Sequence, residues 1–135
     1  MSEAVIELKA DRQHGLTTAL LDVALANARR GDRVIFWSPS SRESADAFQQ
    51  SRHLLDPHDP QVSRVCAANG NQYVAYDRGG RVQFVWGRSP EDVLCDTRTC
   101  GAAVYVFDDN RGSGAHIVRR NAMRDLRDRR EVRFF

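Results

Sequence analysis

The sequence predicts an α/β domain: a mainly parallel sheet flanked by helices, with an antiparallel hairpin insertion. Three observations carry this. The first 55 residues alternate apolar strand-type runs with helical stretches, the order that builds a sheet covered by helices. Residues 62–86 then hold three short alternating runs separated by turn signals. A continuous apolar run ending at Phe107 is of the kind buried on both faces in parallel sheets.

The elements follow in order. Residues 4–10 (AVIELKA) read as a short strand, apolar at Val5, Ile6 and Leu8. Thr17–Arg30 is rich in Ala and Leu, ends in two arginines and meets Gly31, a helix with a cationic last turn and a glycine stop. Arg33–Trp37 (RVIFW) is a buried strand. Ser40 and Glu43 form a capping box that opens a helix to about Leu55, where Asp56-Pro57-His58-Asp59-Pro60 breaks it. Strands at 62–66, 72–76 and 81–86 are separated by Asn69-Gly70-Asn71 and by Asp77-Arg78-Gly79-Gly80, the latter a strong hairpin signal. Ser89-Pro90 has the N-cap serine and first-turn proline of a short helix. Gly101–Phe107 (GAAVYVF) is a buried strand ending in Asp108-Asp109. Residues 115–130 read as an amphipathic helix, with Ala115, Val118, Ala122 and Leu126 on one side and Arg120, Arg124 and Arg127 on another. Residues 131–135 (EVRFF) form a terminal strand or an apolar end.

The chain has 135 residues, the size of one domain with a sizeable core. No apolar run approaches the length of a membrane span, and no secretory signal opens the sequence, so a cytoplasmic location is expected. Three cysteines, Cys66, Cys95 and Cys100, make no disulfide framework, and no zinc-type ligand spacing occurs, so no metal site is expected from spacing. The charge is uneven. There is one lysine, Lys9, against nineteen arginines; residues 1–110 carry 12 basic and 15 acidic groups, residues 111–135 carry 8 and 3. GC-rich codon usage gives such an arginine excess without function. Phosphate recognition is the functional reading, with Arg119, Arg120, Arg124, Arg127 and Arg130 the nucleic-acid candidates. A solvated helix face, partly neutralised by Asp125 and Asp128, and a surface for an acidic protein are the other readings.

The first strand-to-helix turn carries the chemistry. Residues 12–18 read Arg12-Gln13-His14-Gly15-Leu16-Thr17-Thr18. A phosphate-binding loop there needs glycine so that backbone N–H groups can wrap a phosphate, a lysine for the β- and γ-phosphates, and a hydroxyl for Mg²⁺. Gly15, Thr17 and Thr18 stand where the glycine and hydroxyls belong, while Ala10 holds the first-glycine position and Leu16 the lysine position.

This turn resembles the Walker A loop of phage terminase large subunits, the ATPases of DNA-packaging motors, in which the first glycine is commonly missing. The resemblance continues through Ser38-Pro39-Ser40-Ser41, through Arg81-Val82-Gln83-Phe84, and to Val104–Asp109, placed like a Walker B strand. It covers most of residues 4–110 and implies that residues 1–135 are a single truncated P-loop NTPase-like domain. It assigns residues 12–18 to phosphate, Thr17 and Asp108 to Mg²⁺ if nucleotide binds, and Asp109 to the place of the catalytic glutamate.

The departures define the functional expectation. Leu16 supplies no charge to the phosphates, and Asp109 is one methylene shorter than the glutamate it replaces. The expected protein is therefore catalytically silent, a phage-type pseudo-ATPase that binds DNA or a protein partner, with ATP and Mg²⁺ as ligands only where binding survives. A packaging or host-takeover role, in the host cytoplasm, is what the family implies. Two alternatives stand beside it. One is a deviant ATP-binding or ATP-hydrolysing protein in which Arg12 or a partner's cation replaces the lysine. The other is an interaction module that associates with a partner or itself through Phe134 and Phe135.

Overall fold

The computed structural model describes residues 3–8, 16–68, 70–89, 93, 99, 101–109 and 115–120, with 3–8 and 115–120 described as backbone alone. The elements are β1 (Glu3–Leu8), α1 (Leu16–Arg29), β2 (Arg33–Ser38), α2 (Ser41–Leu54), β3 (Val62–Ala68), β4 (Asn71–Tyr76), β5 (Arg81–Trp86), β6 (Val104–Phe107) and β7 (Ala115–Arg120). The seven strands form one sheet in the order β1-β7-β6-β2-β5-β4-β3.

The α/β class holds, but the sheet is mixed rather than mainly parallel. Of its six neighbouring pairs only β2–β5 and β2–β6 are parallel; the other four are antiparallel. The β3–β4–β5 meander is the antiparallel insertion. Its second turn is closed by Tyr76 N–H donating to the Gly80 carbonyl at 2.8 Å, with Gly79 at φ 92°.

Residues 115–120 are a strand and not the start of a helix. The helical reading rested on a period that runs on to Leu126, whereas Ile117 and Val118 are adjacent β-branched residues that suit a pleat. The connection from β6 is short, so the chain turns back antiparallel on β6 and leaves its other edge to β1. Residues 121–135 lie outside the described residues.

Both helices cover the same face. Leu20, Leu21, Ala24 and Ala28 of α1 and Ala47 and Phe48 of α2 are buried with Val34 and Phe36 of β2, Val82 and Phe84 of β5, and Val104 and Val106 of β6. The Phe84 ring lies 5.5 Å from both Phe36 and Phe48, tilted to one and edge-on to the other. Alternation sends Ile35, Trp37, Tyr105 and Phe107 to the opposite face, where Val93 and Ala102 cover them. There the Tyr105 hydroxyl donates to the Thr99 carbonyl at 2.9 Å and accepts from Ala102 N–H at 3.2 Å.

Right-handed crossovers account for this division. The steps β1 to β2 and β2 to β5 advance in one direction across the sheet, so α1 and α2 share a face. The step from β5 to β6 returns, which sends the intervening chain to the other face.

Helix ends follow the sequence signals. Gly31 has φ 110° and its N–H donates to the Ala28 carbonyl at 2.9 Å, closing α1. Ser40 caps α2, its hydroxyl oxygen accepting from Glu43 N–H at 3.2 Å. The Glu43 carboxylate in turn accepts from the Ser40 hydroxyl at 2.9 Å. Gly80 is fixed by packing: a Cβ there would lie 1.9 Å from the Ala28 carbonyl oxygen and 2.9 Å from that of Asp32.

Candidate functional site

Because β7 is antiparallel to both β1 and β6, strands β1, β2, β5 and β6 all point the same way. Their carboxyl ends and the starts of α1 and α2 therefore share one edge of the sheet, the edge where open α/β sheets hold ligands.

At that edge the Thr17 hydroxyl donates to Asp108 Oδ2 at 2.9 Å, joining residues 91 apart in the chain. The first turn of α1 presents Thr17. Asp108 is held at the end of β6 by its own N–H, which donates to the Trp37 carbonyl at 3.0 Å. Burial is the main influence on the Asp108 carboxyl and pushes its pKa above the ordinary range. The Thr17 hydrogen bond opposes that shift, and the nearby charges of Glu43 and Asp109 add to it. Glu43 thus serves twice, in the cap of α2 and in the field at Asp108.

Ser38 ends β2 beside Asp108. Register pairs Phe36 with Val106, so two residues on, Ser38 and Asp108 fall on the same, helix-covered face. Ser38 is 1% exposed, and its hydroxyl finds no hydrogen-bond partner among the described residues.

Thr18 is held by a hydrogen bond from the Gln50 side chain of α2. Leu16 opens α1 and packs at the border of the helix-side core, so the position the resemblance gives to lysine is apolar and partly buried. Asp109 is buried, 9% exposed. Arg12, Gln13, His14 and Gly15 lie outside the described residues, as do Arg124, Arg127, Arg130, Phe134 and Phe135. Arg119 and Arg120 are neighbours on β7, so they do not form the helical arginine face expected from their spacing with Arg124 and Arg127.

The donor set suits Mg²⁺ on one side. A hydroxyl and a carboxylate 2.9 Å apart match the edge of an octahedron with metal–oxygen bonds of about 2.1 Å. On the phosphate side Leu16 supplies no cation. Among the described residues no group of three His, Cys, Asp or Glu side chains is placed to hold a metal unaided. No helix among them is long and apolar enough to cross a membrane.

Sequence reasoning missed Ser38, Gln50 and the electrostatic part of Glu43. Only the parallel register of β2 and β6 gathers Ser38 and Glu43 around Asp108, and no linear spacing encodes that register. Comparison with protein-family models, curated proteins and solved structures finds no match to this chain.

Proposed function

We propose that this chain is a P-loop-derived domain, similar to the ATPase cores of phage terminases, that binds a phosphate-bearing ligand with Mg²⁺ and does not hydrolyse it. The hydrogen bond between Thr17 and Asp108 carries the reading. The resemblance assigns these two residues to Mg²⁺, and they meet at 2.9 Å although 91 positions separate them. The shared carboxyl edge of β1, β2, β5 and β6 supports it further. Bound Mg²⁺ would neutralise phosphate charge; Thr17 and Asp108 would hold it, and the start of α1 would contribute its helix dipole. Silence follows from Leu16 and Asp109: no ammonium draws charge from the γ-phosphate, and no glutamate orients water. The domain then works as a binding protein, with DNA or a protein as the partner of its basic C-terminal end.

Calorimetric titration with ADP and ATP, with and without Mg²⁺, tests this. The expected result is weak, Mg²⁺-dependent, saturable binding that disappears in Thr17→Ala and Asp108→Asn, with no phosphate release from ATP. Leu16→Lys should tighten ATP binding at least about tenfold by restoring a phosphate contact. Absence of binding in both the natural sequence and Leu16→Lys would refute the reading. Salt-dependent DNA binding lost on replacing Arg119, Arg120, Arg124 and Arg127 would identify DNA as the partner; its absence would leave a protein.

A further inference from the structure

The crossover pattern puts a second feature on the same edge. The connection after β2 leaves on the helix face and the connection after the neighbouring β5 leaves on the opposite face, so the chain parts where these strands end. A cavity of about 380 Å³ opens there, within the range of small-molecule sites. It shares no lining residue with the Thr17–Asp108 pair.

Its chemistry is specific. On the helix side it is walled by Ser41 and Ser44 from the first turn of α2, Gln72 of β4, and Trp86 at the end of β5. Trp86 is 58% exposed, although it continues a strand whose preceding residues on that face, Val82 and Phe84, are buried. None of the described lining residues is charged. Such a site disfavours a phosphate or carboxylate as the buried part of its ligand. It suits a neutral planar ring whose face stacks on indole and whose edge carries both donors and acceptors. The Gln72 amide offers one of each, and the exposed Ser41 hydroxyl does the same.

We propose that this cavity is a nucleobase site, with Trp86 as the stacking platform and Gln72 and Ser41 reading the base edge. Aromatic platforms take bases in this way because every base has a π face, while an amide discriminates among their edges. The assignment is independent of the Mg²⁺–phosphate reading, since nucleosides without phosphate are its ligands.

The test uses the whole chain with adenosine, guanosine, cytidine and uridine, and quinoline as a planar ring lacking a base edge. Binding is followed by ligand-observed NMR, so that loss of an indole does not remove the signal. The expected result is saturable binding of at least one nucleoside at millimolar or lower concentration. It should be lost in Trp86→Ala, partly kept in Trp86→Phe, and weakened about fivefold in Gln72→Leu, the scale of one hydrogen bond. Because Trp86 is exposed, its replacement spares the core, and thermal unfolding confirms the fold. The proposal is overturned if no nucleoside shows saturable binding at millimolar or lower concentration. It is equally overturned if quinoline binds as well as the nucleosides, or if Trp86→Ala binds like the natural sequence.

Discussion

Replacing Asp108 with Asn should stabilise the protein at neutral pH. Folding raises the Asp108 pKa, chiefly through burial, so the folded state holds its proton more tightly than the unfolded chain does. The stability linked to this group is complete below the ordinary carboxylate value of about 4 and is lost as pH rises through the higher folded value. Above that value the natural protein carries a charged, partly desolvated carboxylate. Asparagine removes that charge while its carbonyl can still accept from Thr17. Asp108 keeps some contact with water and one hydrogen bond, so the expected gain is about 0.5–1 kcal/mol. For a chain of this size that raises Tm by roughly 2–4 °C. Thermal unfolding of both proteins from pH 4 to 8, in Mg²⁺-free buffer, measures it. The Tm difference should be largest at pH 7–8 and shrink as the pH falls and the natural carboxyl takes up its proton. A destabilised Asp108→Asn at pH 7, or a difference that ignores pH, would refute the reasoning.

Other substitutions probe the frame around the site. Gly80→Ala places a Cβ 1.9 Å from the Ala28 carbonyl oxygen and against backbone on two sides; it should cost at least about 3 kcal/mol in urea unfolding, since neither helix end nor hairpin can yield cheaply. Ser40→Ala removes the cap of α2 and should cost about 1 kcal/mol, with Ser40→Gly costing only a few tenths. Phe48→Ala empties a fully buried position against Phe84 and should cost about 3–5 kcal/mol, seen as a lower urea midpoint with an unchanged slope.

Local chemistry explains what was legible in the sequence. Gly31 closes α1, Ser40 opens α2 and Gly79 turns the hairpin because each signal acts within a few residues of itself. The buried runs of β2 and β6 were readable as strands, and Thr17 and Asp108 could be named as a pair from the motif order. Strand direction was not readable. Residues 115–120 carry both a helical period and two β-branched neighbours, and the open edges of β1 and β6 decide between them. The Trp86 cavity was equally hidden. Ser41, Gln72 and Trp86 are scattered along the chain and meet only because β4 pairs with β5 and α2 crosses above them.

The pairing of β1 with β7 also has a consequence for the order of events during synthesis. Residues 3–8 find their sheet neighbour in residues 115–120, across almost the whole described chain, so this closure carries a large entropic cost and should come late. The β3–β4–β5 meander needs only neighbouring residues and can form early. A chain emerging from the ribosome thus exposes its first strand unpaired until β7 has left the exit tunnel. Truncation before residue 115 would deprive that strand of its partner, and with it the anchor for the chain entering α1.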